Sequence, residues 1–138
     1  MQQVLTNSFT DYIAQIILED KGNLYIAIGS GDSSWDLDGV PDDVSQGTSS
    51  LILERAIAPV ASVEYLDDND EVSATPTSKI RITSKIFTGE DYLGAIRECG
   101  LFSIRNQIRT MLMYSVFARL DLTEHLTLTK SLVISLAS

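Results

Sequence analysis

The chain predicts a mainly β protein with a minor helical part (α+β): an antiparallel β-sandwich with an N-terminal helix packed on it. Three observations predict this. Leu126, Leu128, Leu132, Ile134 and Leu136 fall on even positions, with Thr127, Thr129, Ser131 and Ser135 between them. A period of two places apolar groups on one face of a sheet and hydroxyls on the other. Only Lys130 breaks the apolar face and only Val133 the polar one. Thr110 to Leu122 is a second such run, and from Leu93 onward three runs read as an antiparallel meander. Near the other end, Phe9, Tyr12, Ile13, Ile16 and Ile17 recur at helical spacing and form one apolar stripe.

Composition fits one globular domain over residues 1–138. Hydrophobic residues make up 44% and charged residues 21%, which is too apolar and too weakly charged for a disordered chain. Nineteen acids stand against ten bases, a formal net charge of -9. Such a surface repels phosphate backbones and anionic membranes, which argues against both as partners. No apolar run approaches the roughly 20 residues of a membrane span. The opening Met1-Gln2-Gln3-Val4-Leu5-Thr6-Asn7 has no basic segment and no long apolar one, so no signal peptide is expected. One cysteine, Cys99, excludes an internal disulfide framework and fits folding in a reducing cytoplasm.

In chain order, Ser8 with Asp11 offers a helix cap and Lys21-Gly22 a stop, giving a helix over about Phe9 to Asp20. Leu24 to Ile28 is a continuous apolar run, a strand buried on both faces. A long loop from Gly29 to about Thr48 follows, rich in Gly, Ser and Asp, with Trp35 as its expected anchor on the body. Leu51 to Ala56 predicts a short helical turn. Ile57 to Leu66 predicts a strand in which Pro59 marks an edge or bulge. Asp67-Asp68-Asn69-Asp70 is a turn, and residues 67–78 a hairpin tip. Lys79 to Phe87 and Ala95 to Ile104 complete the set of strands, the second with Gly100 as an expected bulge. Between Met111 and Ala118 both faces are apolar: Leu112, Tyr114, Val116 and Ala118 on one, Met111, Met113 and Phe117 on the other. The second face needs a cover from a helix, a facing sheet or another chain. Met111, Met113 and Phe117 are therefore candidate subunit-interface residues, and replacing Met113 and Phe117 by Asp is expected to weaken assembly.

Chemistry-bearing patterns are sparse. His125 is the only histidine, and no partnered nucleophile lies near it in sequence. Cys99 lies inside a strand and reads as a small buried hydrophobe. Gly29-Ser30-Gly31 follows a strand, but the third glycine, the immediate helix and the Lys-Ser/Thr pair of a phosphate loop are missing. Asp36, Asp38, Asp42 and Asp43 form half of a calcium loop, without its closing glutamate, and Asp67, Asp68, Asp70 and Glu71 crowd one tip. The expectation is no catalytic, cofactor-binding or metal-binding residue, and no enzyme.

Two stretches carry a resemblance. Leu24-Tyr25-Ile26-Ala27-Ile28-Gly29-Ser30-Gly31, followed by Trp35 and then by Leu51-Ile52-Leu53-Glu54-Arg55, resembles the opening of small structural proteins of bacteriophage tails, the tail-collar and tail-fibre attachment domains. Arg97-Glu98-Cys99-Gly100-Leu101-Phe102 is similar to that group's Glu-x-Gly-Leu-Phe strand, and a hydrophobic hairpin follows it. The order of these pieces matches from about residue 9 to residue 136. The resemblance implies a virion component made in the host cytoplasm. It would be a non-catalytic β domain that docks on baseplate, collar or fibre, with other tail proteins as partners and as a homo-oligomer, since symmetric rings and trimeric fibres both need repeated patches. Gly29, Gly31 and Gly100 would carry over as backbone positions, Trp35 and Phe102 as packing residues. The chain ends after its last strand without a fibre shaft, which favours an adaptor or connector. Injection particles built like phage tails use related parts. The competing expectation is a carbohydrate-binding β-sandwich that stacks sugars on Trp35, Tyr65 or Tyr92.

Overall fold

The computed structural model describes residue 3 and residues 6–136. The chain is mostly antiparallel β, with few helices. Helix α1 spans Asn7–Glu19 and leads through a tight turn, Lys21–Asn23, into β1 (Leu24–Gly29). One helical turn, α2 (Trp35–Asp38), interrupts the long loop before β2 (Glu54–Tyr65). Then come β3 (Lys79–Ser84), β4 (Gly94–Arg105), β5 (Ile108–Leu122) and β6 (Ser131–Ser135).

All six strands belong to one sheet, in the order β5-β4-β1-β2-β3-β6. Two stacked sheets are not seen; the single sheet curls towards a half-barrel. The curl has a local cause in β2. Its first half, Glu54 to Pro59, pairs with β1, and its second half, Val60 to Tyr65, pairs with β3. Pro59, which has no N–H to donate, and a register break between Val60 and Ser62 mark the changeover. The predicted turn of helix at Leu51 to Ala56 is not formed, because Glu54, Ala56, Ile57 and Ala58 pair with β1 instead.

The curl encloses the main core. Leu24, Ile26 and Ile28 of β1 meet Ile80 and Ile82 of β3, Leu132 of β6, Ile96 and Leu101 of β4, Leu122 of β5, and Phe87. These side chains come from both ends of the strand order, so they share the concave face. Fully burying side chains of this size stabilises by about 1.5–3 kcal/mol each. A smaller cluster of Ala27, Leu51 and Phe102, with Met111 and Tyr114 against it, lies on the convex face.

Three expectations are corrected. The three runs after Leu93 do not form a meander. β4 and β5 are a hairpin, but β6 pairs with β3 at the far edge of the sheet. The regular part of the last run is also shorter than its alternation: Leu128 makes only an isolated bridge to Phe87, and Leu126 is exposed. Helix α1 does not lay its whole stripe on the sheet. Ala14 is buried and Ile17 packs on the core, while Phe9, Tyr12 and Ile16 stay exposed. Its apolar arc is wider than the contact it makes. Gly100 is not a bulge. It is paired regularly with Ala27 and with Tyr114, and a Cβ there would lie 2.9 Å from Leu51 Cδ1 and 3.0 Å from the Phe102 ring.

Candidate functional site

Glu98, in the middle of β4, is fully buried and yet densely hydrogen-bonded. Opposite it, Gly29 is the last residue of β1. A Cβ at Gly29 would stand 2.5 Å from Glu98 Oε2 and 2.6 Å from the Leu53 carbonyl, so only glycine lets the chain pass over the carboxylate. Each carboxylate oxygen then accepts two hydrogen bonds. Oε1 takes the Ile52 N–H at 2.8 Å and the Tyr114 hydroxyl at 2.7 Å. Oε2 takes the Gly31 N–H and the Leu53 N–H, both at 2.9 Å. The two N–H groups at 52 and 53 end the long loop, and the one at 31 begins it. Glu98 thus clasps both ends of a strap, residues 30–53, over the convex face.

A cation holds the middle. Arg97, almost fully buried, donates to both Asp36 oxygens, at 2.9 and 2.6 Å, and to the Ser30 carbonyl at 2.8 Å. The planar fork matches the carboxylate. The Arg97 guanidinium, and Arg119 beyond it, hold the Asp36 carboxyl below its ordinary value. Trp35 is half-buried: its ring meets the α-carbon side of Gly31, where a Cβ would stand 2.7 Å away. Gly31 has φ +61°, a backbone conformation natural to glycine. Leu51 buries itself against Ala27 and Phe102.

Burial raises the Tyr114 hydroxyl well above its ordinary value, and its bond to Glu98 adds to the shift. Burial also pushes the Cys99 thiol up to about 11. Cys99 is fully buried, with its side chain in the concave core. A thiol so placed is a poor nucleophile at neutral pH. His125 is exposed in the turn before Leu126, far in sequence from the strap. Among the described residues no group of three or more His, Cys, Asp and Glu side chains gathers as a metal ion would require. Asp67 is used locally: its carboxylate accepts the Asn69 and Glu71 N–H groups and closes the hairpin tip. No described helix is long and apolar enough to cross a membrane.

The candidate interface residues separate. Leu112 is skipped in the register, with Leu101 opposite Met113 and Phe102 opposite Met111. That extra residue turns Met111 to the convex cluster, whereas Met113 and Phe117 pack on the concave core. Lys130 stands 3.8 Å over the Phe117 ring and covers it. Met111, Met113 and Phe117 therefore do not form one face. The part played by Glu98 was not foreseen from sequence. The available signal was an acid inside a run, Ile96 to Phe102, that is otherwise almost apolar. Such an acid is buried only if donors are brought to it.

No protein-family model matches the chain, and no curated protein matches it in sequence.

Proposed function

We propose that the chain is a structural component of a phage tail or of a tail-like injection particle, a baseplate, collar or fibre adaptor that acts by docking on its neighbours and not by catalysis. One observation carries the reading. The two stretches that resemble tail proteins are adjacent partners: Leu24 to Gly29 pairs residue for residue with Glu98 to Ser103. Trp35 and Leu51 to Arg55 complete the same unit through the strap. Pieces far apart in sequence thus form one strap clasp, which is what a shared architectural motif requires.

The surface agrees with docking. Phe9, Tyr12 and Ile16 make an exposed stripe on α1, and Leu37 at the crest of α2 is 94% exposed. Grouped apolar side chains in water mark contact sites. The glycan-binding alternative gains no support, because its aromatic platforms are engaged. Trp35 rests on Gly31, Tyr65 packs on the core, and Tyr92 lies under the Arg55 guanidinium, 5.3 Å from its centroid.

The test is deletion of the gene in the replicating phage or particle-producing strain, followed by electron microscopy. Tails arrested at one intermediate, and restored when the chain is supplied in trans, are expected. Complete, functional tails in the deletion strain would contradict the proposal.

A further inference from the structure

We infer that two copies of this chain pair through β5, antiparallel, about a twofold axis at Ser115. The inference deepens the docking reading and rests on it for its context. β5 is the end strand of the sheet and, at 15 residues, the longest. Among the described residues, no backbone hydrogen bond reaches it from any element other than β4. A long edge with unpaired N–H and C=O groups is a template for another strand.

The strand is complementary to itself in only one register. Its regular stretch, Met113 to Val116, is flanked by two irregularities: Leu112 is skipped on one side, and the register slips between Val116 and Leu120 on the other. The faces can be read from contacts. Arg109 lies over the Phe102 ring, and Met111 and Tyr114 join the convex cluster. Met113, Phe117 and Leu122 face the concave core, and Leu120, itself exposed, is placed on that side by its register opposite Ile96. Arg119 bonds Asp121 and reaches Asp36 of the strap, which places both on the convex side. Counted outward from Ser115, the sequence of faces is the same in both directions.

Pairing about Ser115 therefore matches like faces along the whole strand. Met113 meets Phe117 and Tyr114 meets Val116 of the second copy, an apolar and an aromatic–β-branched pair of the kind that stabilises sheets. Arg109, paired to Glu54 in its own chain, meets Asp121, paired to Arg119, so that two such ion pairs join into one network twice per dimer. Centring one residue earlier, on Tyr114, would set Arg109 against Arg119 and convex Met111 against concave Phe117. Centring on Val116 would set concave Met113 against convex Arg119. For a chain with net charge -9, a self-contact that opposes cation to anion is the needed selection.

The experiment uses the full chain with Thr110→Cys and Leu120→Cys. In the pair these positions face each other across strands, with Cα atoms about 4.5–5.5 Å apart. Within one chain they are ten residues apart along a strand, roughly 34 Å. The double variant should form a disulfide-linked dimer under mild oxidation, and neither single variant should. Sedimentation velocity should find wild type at twice the 15.2 kDa monomer mass. Arg109→Asp and Asp121→Arg should each weaken the dimer at least tenfold, and the double reversal should restore it; circular dichroism checks that each variant is folded. A dimer that survives both single reversals, singles that cross-link as well as the double, or a double reversal that restores nothing would overturn the pairing. So would a wild type that is monomeric at every concentration. If that monomer were still built into particles, the docking reading would stand and the β5 pairing alone would fall.

Discussion

Glu98 shows why a single buried charge can hold a whole strap, residues 30–53, in place. Its two oxygens accept four hydrogen bonds, and three of the donors are backbone N–H groups that have no other partner if the acid is removed. Glu98→Gln is nearly isosteric, yet it should be severe. With its NH2 in the Oε2 place it faces two backbone donors; in the Oε1 place it faces the Ile52 N–H, because the Tyr114 hydroxyl can turn and accept. At least one buried donor is left unsatisfied, at a cost of about 1–3 kcal/mol, so urea unfolding should show a loss of that order. An unchanged midpoint would show that the clasp is dispensable. Tyr114→Phe removes one bond to a charged acceptor and should cost about 1.5 kcal/mol. The same hydroxyl predicts alkaline behaviour. Its folded pKa lies above the unfolded value of about 10, so its contribution is fully present below about pH 10 and is lost as pH rises further. Cys99 adds a loss of the same sign between its ordinary 9.0 and about 11. Urea midpoints measured upward from about pH 8 should therefore fall, and Tyr114→Phe should fall less steeply.

The strap and β5 are the elements where a sequence reading meets its limit. Apolar runs and alternation made strands legible at Leu24 to Ile28, at Lys79 to Phe87 and at Ala95 to Ile104, although the ladder of the second stops at Ser84 and the third breaks its period between Ile96 and Glu98. The irregularities of β5 were not legible. No residue type announces the extra residue at Leu112, so a strict period of two puts Met111 with Met113 and Phe117, whereas the folded strand separates them. That changes what a mutation tests. Met113→Asp with Phe117→Asp would place charges against the concave core and should cost at least about 3 kcal/mol of stability, so it cannot isolate an interface. The strap was legible as a loop with Trp35 in it, but not as a clasp, since its anchors Arg97 and Glu98 lie some sixty residues on. Asp36→Asn should free the middle of the strap while Glu98 keeps its ends. Hydrogen exchange should quicken over residues 32–48 and stay unchanged in β1 and β4. Because Asp36's pKa is depressed in the fold, its contribution is present above the ordinary carboxylate range and is lost as pH falls through the folded value. Acid should loosen the same segment. Equal exchange in the two proteins would assign the strap's order to other contacts.

At the scale of the molecule, strand order was the least legible property. The pattern from Leu126 to Leu136 reads as a neighbour of β5, but the sheet curls and brings it to β3 instead. Alternation specifies which face is buried and says nothing about which strand is adjacent. The curl depends on β2 serving two neighbours in turn, with Pro59 at the changeover, and it leaves β5 as a long free edge. That edge, the α1 stripe and Leu37 are the exposed surfaces on which the proposed docking would draw. The claim that this chain is a part held in place by neighbours is tested most directly by its copy number in density-purified particles, measured by quantitative mass spectrometry. The account predicts a constant whole-number ratio to the tail proteins of the particle. A chain recovered only from the unassembled fraction, with none in the particles, would contradict it.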